Sequence, residues 1–280
     1  MGIKDLFKRK TVITETSKTI HEESEKTESE KKRPFEKVTP HKRGVLDMVI
    51  AFDTTGSMSA YIDAVRHEVA ELIPRLFKDN EDLRLGIVAF GDYCDMKNAQ
   101  EFGNAYQCLM PTNNENDIIK FVRETKDTSG GDGDEFYELV IKKIVEETPW
   151  RENSTRAILL ISDAEPHPLG YTYQDYVVGN QIDWRKEANK AAELKIKIDT
   201  VTITNSSWYK ELSSMTNGIS VPFASGHKTA RLVEAATMSR GSVKARKMFD
   251  EMLCSCSDEE TSAVFASYKR ERDSCDSDDV

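Results

Sequence analysis

Asp53, Thr55 and Ser57 alternate through the stretch Asp53-Thr54-Thr55-Gly56-Ser57-Met58, so their side chains can converge from a tight loop onto one point. All three offer oxygen, and none offers nitrogen or sulfur. Oxygen donors that include a carboxylate suit a hard divalent cation such as Mg²⁺ that keeps some of its waters. Gly56 lets the backbone bend closely there. A second carboxylate, Asp163, follows the apolar run Arg156 to Ile161 and belongs to the phrase running from Ser162 to Pro168. A third acidic stretch, Thr128-Ser129-Gly130-Gly131-Asp132-Gly133-Asp134-Glu135, stands at the start of a helical pattern. Acids in that position also have a plain role as caps and as partners of the helix dipole. Its register does not meet the D-x-D-x-D-G of an EF-hand loop. His167, a lone histidine between two prolines, reads as a rigid loop residue rather than a base or ligand.

Strand ends are what such donors need. Met48 to Phe52 is a run of five apolar residues, the pattern of a strand buried on both faces, and it stops at Asp53. Open α/β sheets bind ligands at that carboxyl edge. From Tyr61, apolar residues at Ile62, Val65, Val69, Leu72, Ile73 and Leu76 form one stripe of an amphipathic helix, with Pro74 expected to kink or loosen it. Leu83 to Phe90 reads as a second strand ending in Gly91-Asp92-Tyr93-Cys94-Asp95, Ala105 to Met110 as a short edge strand, and Asn116 to Thr125 as a helix. Beyond the glycine-rich loop, Phe136, Leu139, Val140 and Ile144 line a helix, and 156–161 is a buried strand that delivers Asp163 to the same edge. Helices at 184–194, 208–215 and from 229, with strands at 196–203 and 219–223, complete the alternation. The expected fold is α/β: a doubly wound, mostly parallel central sheet flanked by helices, with right-handed crossovers.

Asp53 to Met58 resembles the D-x-[ST]-x-S signature of von Willebrand factor A (VWA) domains, whose metal-ion-dependent adhesion site holds Mg²⁺ or Mn²⁺ and leaves one position for a partner's carboxylate. Residues 91–93 resemble the GDY or RDY of bacterial members with DTTGSM, and 162–168 resemble their TDAPPHP phrase, in which the Asp binds the metal through water. The glycine-rich stretch resembles the second adhesion-site loop, which implies Asp132 as a ligand, with Thr128 the alternative. The resemblance covers roughly residues 45 to 240 and implies a metal set of Asp53, Thr55, Ser57, Asp132 and Asp163. Three carboxylates would neutralise a divalent ion more fully than two, holding it more firmly while attracting an incoming Asp or Glu less. Family members without a signal peptide commonly act as scaffolds beside kinases, phosphatases or ATPases. The implied function is therefore non-enzymatic: metal-dependent recognition of a partner protein.

The alternative is a Mg²⁺-dependent phosphohydrolase of the haloacid dehalogenase type, whose nucleophilic Asp also ends a first strand. That family needs D-x-D, and here position 55 is Thr. A serine nucleophile at Ser57 lacks G-x-S-x-G and an obvious histidine partner.

Of the 280 residues, 31% are charged and 38% hydrophobic, enough for one α/β domain with polar tails. A net charge of -10 argues against general affinity for nucleic acid. Residues 1–45 carry 12 Lys and Arg against 8 Asp and Glu, whereas 254–280 carry 3 against 8. Residues 1–44 read as a charged, disordered leader. Within it, Ile3, Leu6 and Phe7 beside Lys4, Lys8, Arg9 and Lys10 offer weak contact with an anionic membrane surface or a partner, a frayed polar terminus being the plainer reading. Gly2 does not make a myristoylation motif, because position 6 is Leu. After the VWA span, 241–280 reads as a short helix at 243–253 and an acidic, Ser- and Cys-rich disordered tail. No apolar run is long enough to span a membrane, and no secretory signal pattern is present. The 5 cysteines show no C-x-x-C spacing, which points to reduced thiols in a cytoplasm.

Overall fold

The computed structural model describes residues 44–98, 101–173, 181–222 and 226–278. The leader, including the amphipathic segment 1–10, lies outside the described residues except for Gly44.

β1 (Val45–Asp53) is buried along its whole length. Successive side chains of a strand point to opposite faces, and here each face has its own packed layer. Leu46, Met48, Ile50 and Phe52 enter one cluster, while Val49 and Ala51 enter the other. β1 pairs in parallel with β2 (Asp82–Phe90) on one side and with β5 (Thr155–Ser162) on the other. β3 (Tyr106–Thr112) is an antiparallel edge strand on β2. Beyond β5 lie β7 (Ile196–Thr202) and β8 (Ser220–Pro222), both parallel, giving the order β3-β2-β1-β5-β7-β8. The chain builds outward from β1 to β3, then returns to the far side of β1, so the strand order reverses between β1 and β5. A crevice opens at such a reversal.

The first layer packs α1 (Ser59–Asp79), α2 (Glu115–Glu124), α6 (Gly226–Arg240) and α7 (Val243–Ser255) on one face of the sheet. The second packs α3 (Tyr137–Glu147), α4 (Trp184–Glu193) and α5 (Ser207–Met215) on the other. α1 continues unbroken through Pro74, with Leu72, Ile73 and Leu76 buried around it. Packing on the sheet outweighs the one backbone hydrogen bond that proline removes. Two residues of the glycine-rich loop form β4 (Asp134–Glu135), paired in parallel with β6 (Glu165–Pro166), which ties that loop to the one after β5.

The region after Cys254 departs from the sequence expectation. In place of a disordered tail, α8 (Glu259–Asp278) follows. Asp258 caps it by accepting from the Thr261 backbone N–H at 2.9 Å. Thr261, Phe265, Tyr268 and Arg272 share one buried stripe, and Phe265 and Tyr268 join the first core cluster. The Tyr268 hydroxyl donates to Asp199, which is also ion-paired with buried Arg240. The apolar content is low because Arg272 and Thr261 occupy half of that stripe. Arg272 pairs with Asp250 of α7 at 3.0 Å.

Candidate metal centre

At the carboxyl end of β1, Asp53 is fully buried and held on both oxygens. Oδ1 accepts from the backbone N–H and the hydroxyl of Thr55 at 2.8 and 2.7 Å. Oδ2 accepts from the hydroxyl of Tyr137, the first residue of α3, at 2.6 Å. The same Tyr137 oxygen accepts from the backbone N–H of Ala164 at 3.2 Å, so one phenol joins β1 to the turn after β5. The Thr55 and Ser57 hydroxyls lie 3.3 Å apart. The structure thus links Asp53, Thr55 and Ser57 through their hydroxyls, and Asp163, from the far side of the reversal between β1 and β5, is near enough for its charge to act on Asp53 and for the Ser57 hydroxyl to act on it.

Asp132 makes its bonds elsewhere in the glycine-rich loop and to Tyr171. That carboxylate is exposed; Oδ1 accepts from the backbone N–H of Asp134 at 3.1 Å and Oδ2 from the Tyr171 hydroxyl at 3.2 Å. Among the described residues, Asp53, Asp132 and Asp163 do not form a three-carboxylate group. Thr128 is turned to the backbone side, its N–H on the Thr54 carbonyl and its hydroxyl 3.0 Å from that of Thr54. A Cβ on Gly91 would stand 2.4 Å from the Thr128 hydroxyl, so a side chain there would displace it. The acid of the glycine-rich loop that faces inward is Glu135. It is buried, and a Cβ on Gly130 would meet its Oε1 at 2.7 Å and the Thr55 Cβ at 3.3 Å. Gly130 also has φ +66°, a left-handed conformation that favours glycine.

Electrostatics follow from so many acids in a dry corner. Burial raises the Asp53 carboxyl to a pKa of about 7 despite its hydrogen bonds. Burial, with the Asp53 and Asp92 charges, raises Glu135 to about 10. Burial also raises Asp163, against the lowering effect of the Ser57 hydroxyl. Asp163 Oδ1 and Glu135 Oε2 are buried without hydrogen-bond partners. Orphaned acceptors and raised carboxyls mark uncompensated negative charge, which protons or a cation would relieve. The all-oxygen donors Asp53, Thr55, Ser57 and Asp163 therefore fit a hard divalent ion.

A second group lies at the same edge. His167, which follows β6, is buried and places Nε2 2.7 Å from Asp92 Oδ1 in the loop after β2. Burial would lower its pKa, but the Asp92 bond and the charges of Asp92, Glu138 and Asp132 raise it. Tyr171 stacks on the imidazole with centroids 3.7 Å apart, and Tyr93 donates to Glu138 at 2.8 Å. Burial, offset by the Tyr93 bond, puts Glu138 at about 7. Asp92, Glu135 and Tyr137 are not among the site residues expected from the sequence, and His167 reads there as a loop residue. Asp92 had a usable signal, since an acid just past a buried strand is the pattern that singled out Asp53 and Asp163. Glu135 and Tyr137 had none, because their direction depends on Gly130 and the β4–β6 pairing.

A mostly parallel, doubly wound sheet with acids and hydroxyls at its reversal defines a Rossmann-like α/β protein. Within that class the chain belongs to the von Willebrand factor type A domain family, whose model matches residues 47–235. Members of that family typically bind a divalent metal and commonly mediate protein–protein interaction. An alpha-protein kinase, vwkA, of Dictyostelium discoideum is 27% identical over 168 residues, covering 58% of this chain and 25% of that protein. A putative ariadne-like RING finger protein, R811, of Acanthamoeba polyphaga mimivirus is 21% identical over 188 residues, covering 63% of this chain and 18% of that protein. The match thus spans a quarter or less of the length of these curated relatives. No helix among the described residues is long and apolar enough to cross a membrane.

Proposed function

We propose that this chain is a non-enzymatic, divalent-metal-dependent protein-binding module. Mg²⁺ or Mn²⁺ is held at the sheet's carboxyl edge by Asp53, Thr55, Ser57 and Asp163, and a partner's Asp or Glu completes the coordination. The observation that carries this reading is the run of oxygen donors Asp53, Thr55 and Ser57 joined at the strand reversal, with Asp163 beside them and its Oδ1 buried and unpartnered. Asp132, the fifth ligand implied by the family pattern, is left out of this set, and Glu135 takes its place as the acid beside Thr55. Burial raises Glu135 when no ion is bound, so a cation beside it would displace a proton.

The two relatives carry names of unlike activities, kinase and RING finger, and share this region with the chain. That supports an interaction module rather than the source of either activity. The phosphohydrolase alternative finds no support: position 55 is Thr where that family needs a second Asp, and neither relative's name is that of a phosphohydrolase. A cytoplasmic setting belongs to the same proposal and is consistent with all five thiols being free.

The test is affinity capture with the full chain in Mg²⁺ and in EDTA, beside Asp53→Asn. Asn keeps the shape of a carboxyl that is half protonated near neutral pH. Capture of a defined protein only in Mg²⁺, lost in Asp53→Asn, is expected. Identical capture under all three conditions would overturn metal-dependent recognition.

A further inference from the structure

The group formed by Asp92, Asp132 and His167 belongs to neither the donor chain described above nor the core. Each of the three offers one ligand-type atom, and these atoms all lie within 4.8 Å of one another. They come from three separate segments: the loop after β2, the glycine-rich loop, and the loop after β6. Asp92 and His167 are buried, and both keep an unspent polar atom, Asp92 Oδ2 and His167 Nδ1, without a hydrogen-bond partner. A buried carboxylate oxygen left unpaired is costly, and a cation held by Asp92 would engage it; His167 Nδ1, on the other side of the ring from Nε2, stays outside the coordination. Asp132, the exposed member, opens the group to solvent, and Tyr171 holds its Oδ2 while stacking on the imidazole.

We propose that these three residues form a second cation site, for a divalent first-row transition metal such as Zn²⁺, Mn²⁺ or Co²⁺. The chemistry differs from that of the first site in one atom type. An imidazole nitrogen with two carboxylates suits a transition ion, whereas Mg²⁺ prefers oxygen throughout. At 2.7 Å, Asp92 Oδ1 and His167 Nε2 are close enough to bind the same ion once the hydrogen between them is released. Tyr171 supplies the outer hydrogen bond that orients Asp132. Bound metal would fasten the exposed glycine-rich loop to two buried anchors, and so fix the rim beside the first site.

Co²⁺ is the probe, because its visible absorption reports coordination directly. Metal-stripped full-length protein carrying Asp53→Asn is titrated with Co²⁺, alone and combined with Asp132→Asn or His167→Gln. The Asp53→Asn protein should show saturable Co²⁺ absorption, and either second substitution should weaken binding by ~10-fold or more. Asp132 is exposed, so Asp132→Asn leaves packing intact where His167→Gln does not. In the wild-type chain, an exchangeable imidazole proton resonance shifted by Co²⁺ and missing in His167→Gln is also expected. Folded Asp53→Asn protein that binds no Co²⁺ at millimolar metal, or equal affinity in the combined variants, would overturn the site and leave a proton-bridged His–Asp pair. Loss of Mg²⁺ binding in Asp53→Asn bears on the first site alone, so the two proposals fail separately.

Discussion

Burial lifts the Asp53 carboxyl from 3.8 to about 7, and Glu138 from 4.5 to about 7. A carboxyl whose pKa is higher in the folded than in the unfolded chain prefers to be protonated in the fold. Its contribution to stability is complete below the unfolded value and is lost as pH rises through the folded one. Metal-free protein should therefore lose thermal stability as pH rises from about 4.5 to above 7, measured by unfolding in EDTA. A rising midpoint over that window would contradict the burial of these acids. Asp47, at the opposite end of β1, works in the other direction. Burial would raise it, but bonds from Arg84 and Arg151 more than offset this, so its stabilising effect fades only as pH falls below the ordinary carboxylate range. A bound divalent ion competes with the proton on Asp53, so Mg²⁺ affinity should fall as pH drops below about 7. Gly130 adds a prediction of its own. Gly130→Ala, at φ +66° and 2.7 Å from Glu135, should cost at least ~1 kcal/mol in denaturant unfolding.

At the scale of the element, α8 is the piece whose role is most open to a direct test. Phe265 is fully buried, with its ring 5.7 Å from that of Phe249. Phe265→Ala should destabilise the protein by about 3–5 kcal/mol in denaturant unfolding, the cost of emptying a packed aromatic site. A change below ~0.5 kcal/mol would mean that α8 is not docked. The same helix shows where sequence reasoning stops. β1, β2 and β5 were legible because their apolar runs have one physical meaning, burial on both faces. α8 was not, since its buried stripe reads Thr261, Phe265, Tyr268, Arg272, and the composition around it is Ser, Asp and Glu. At the site, Asp53, Thr55 and Ser57 follow from a short loop of fixed geometry, and Asp163 from a strand end. In 128–135, acids at 132, 134 and 135 compete, and which one turns inward is decided by a left-handed glycine and a two-residue ladder. His167 reads from the sequence as a lone loop histidine between prolines, because its partner, Asp92, lies 75 positions away.

At the scale of the whole molecule, two ends of one sheet carry opposite duties. Asp47, Arg84, Arg151 and Ser154 close the amino end with a saturated network in which every Asp47 oxygen is bonded. The carboxyl end keeps unpaired acceptors on Asp92, Glu135, Glu138 and Asp163. Structural charge is paired at one end, and carboxyl oxygens without partners are concentrated at the other. Residues 1–43 are rich in Glu, Lys, Ser and Thr. Deleting them should change unfolding free energy by less than ~0.5 kcal/mol, and a larger drop would show that they pack on the domain.

The central claim is that a divalent ion binds at Asp53, Thr55, Ser57 and Asp163, and calorimetric titration of metal-stripped full chain with Mg²⁺ or Mn²⁺ at pH 8 tests it most directly. One saturable Mg²⁺ site in the wild-type protein, absent in folded Asp53→Asn and Asp163→Asn, is the expected result. No saturable binding at millimolar metal, or binding unchanged in both variants, would contradict it.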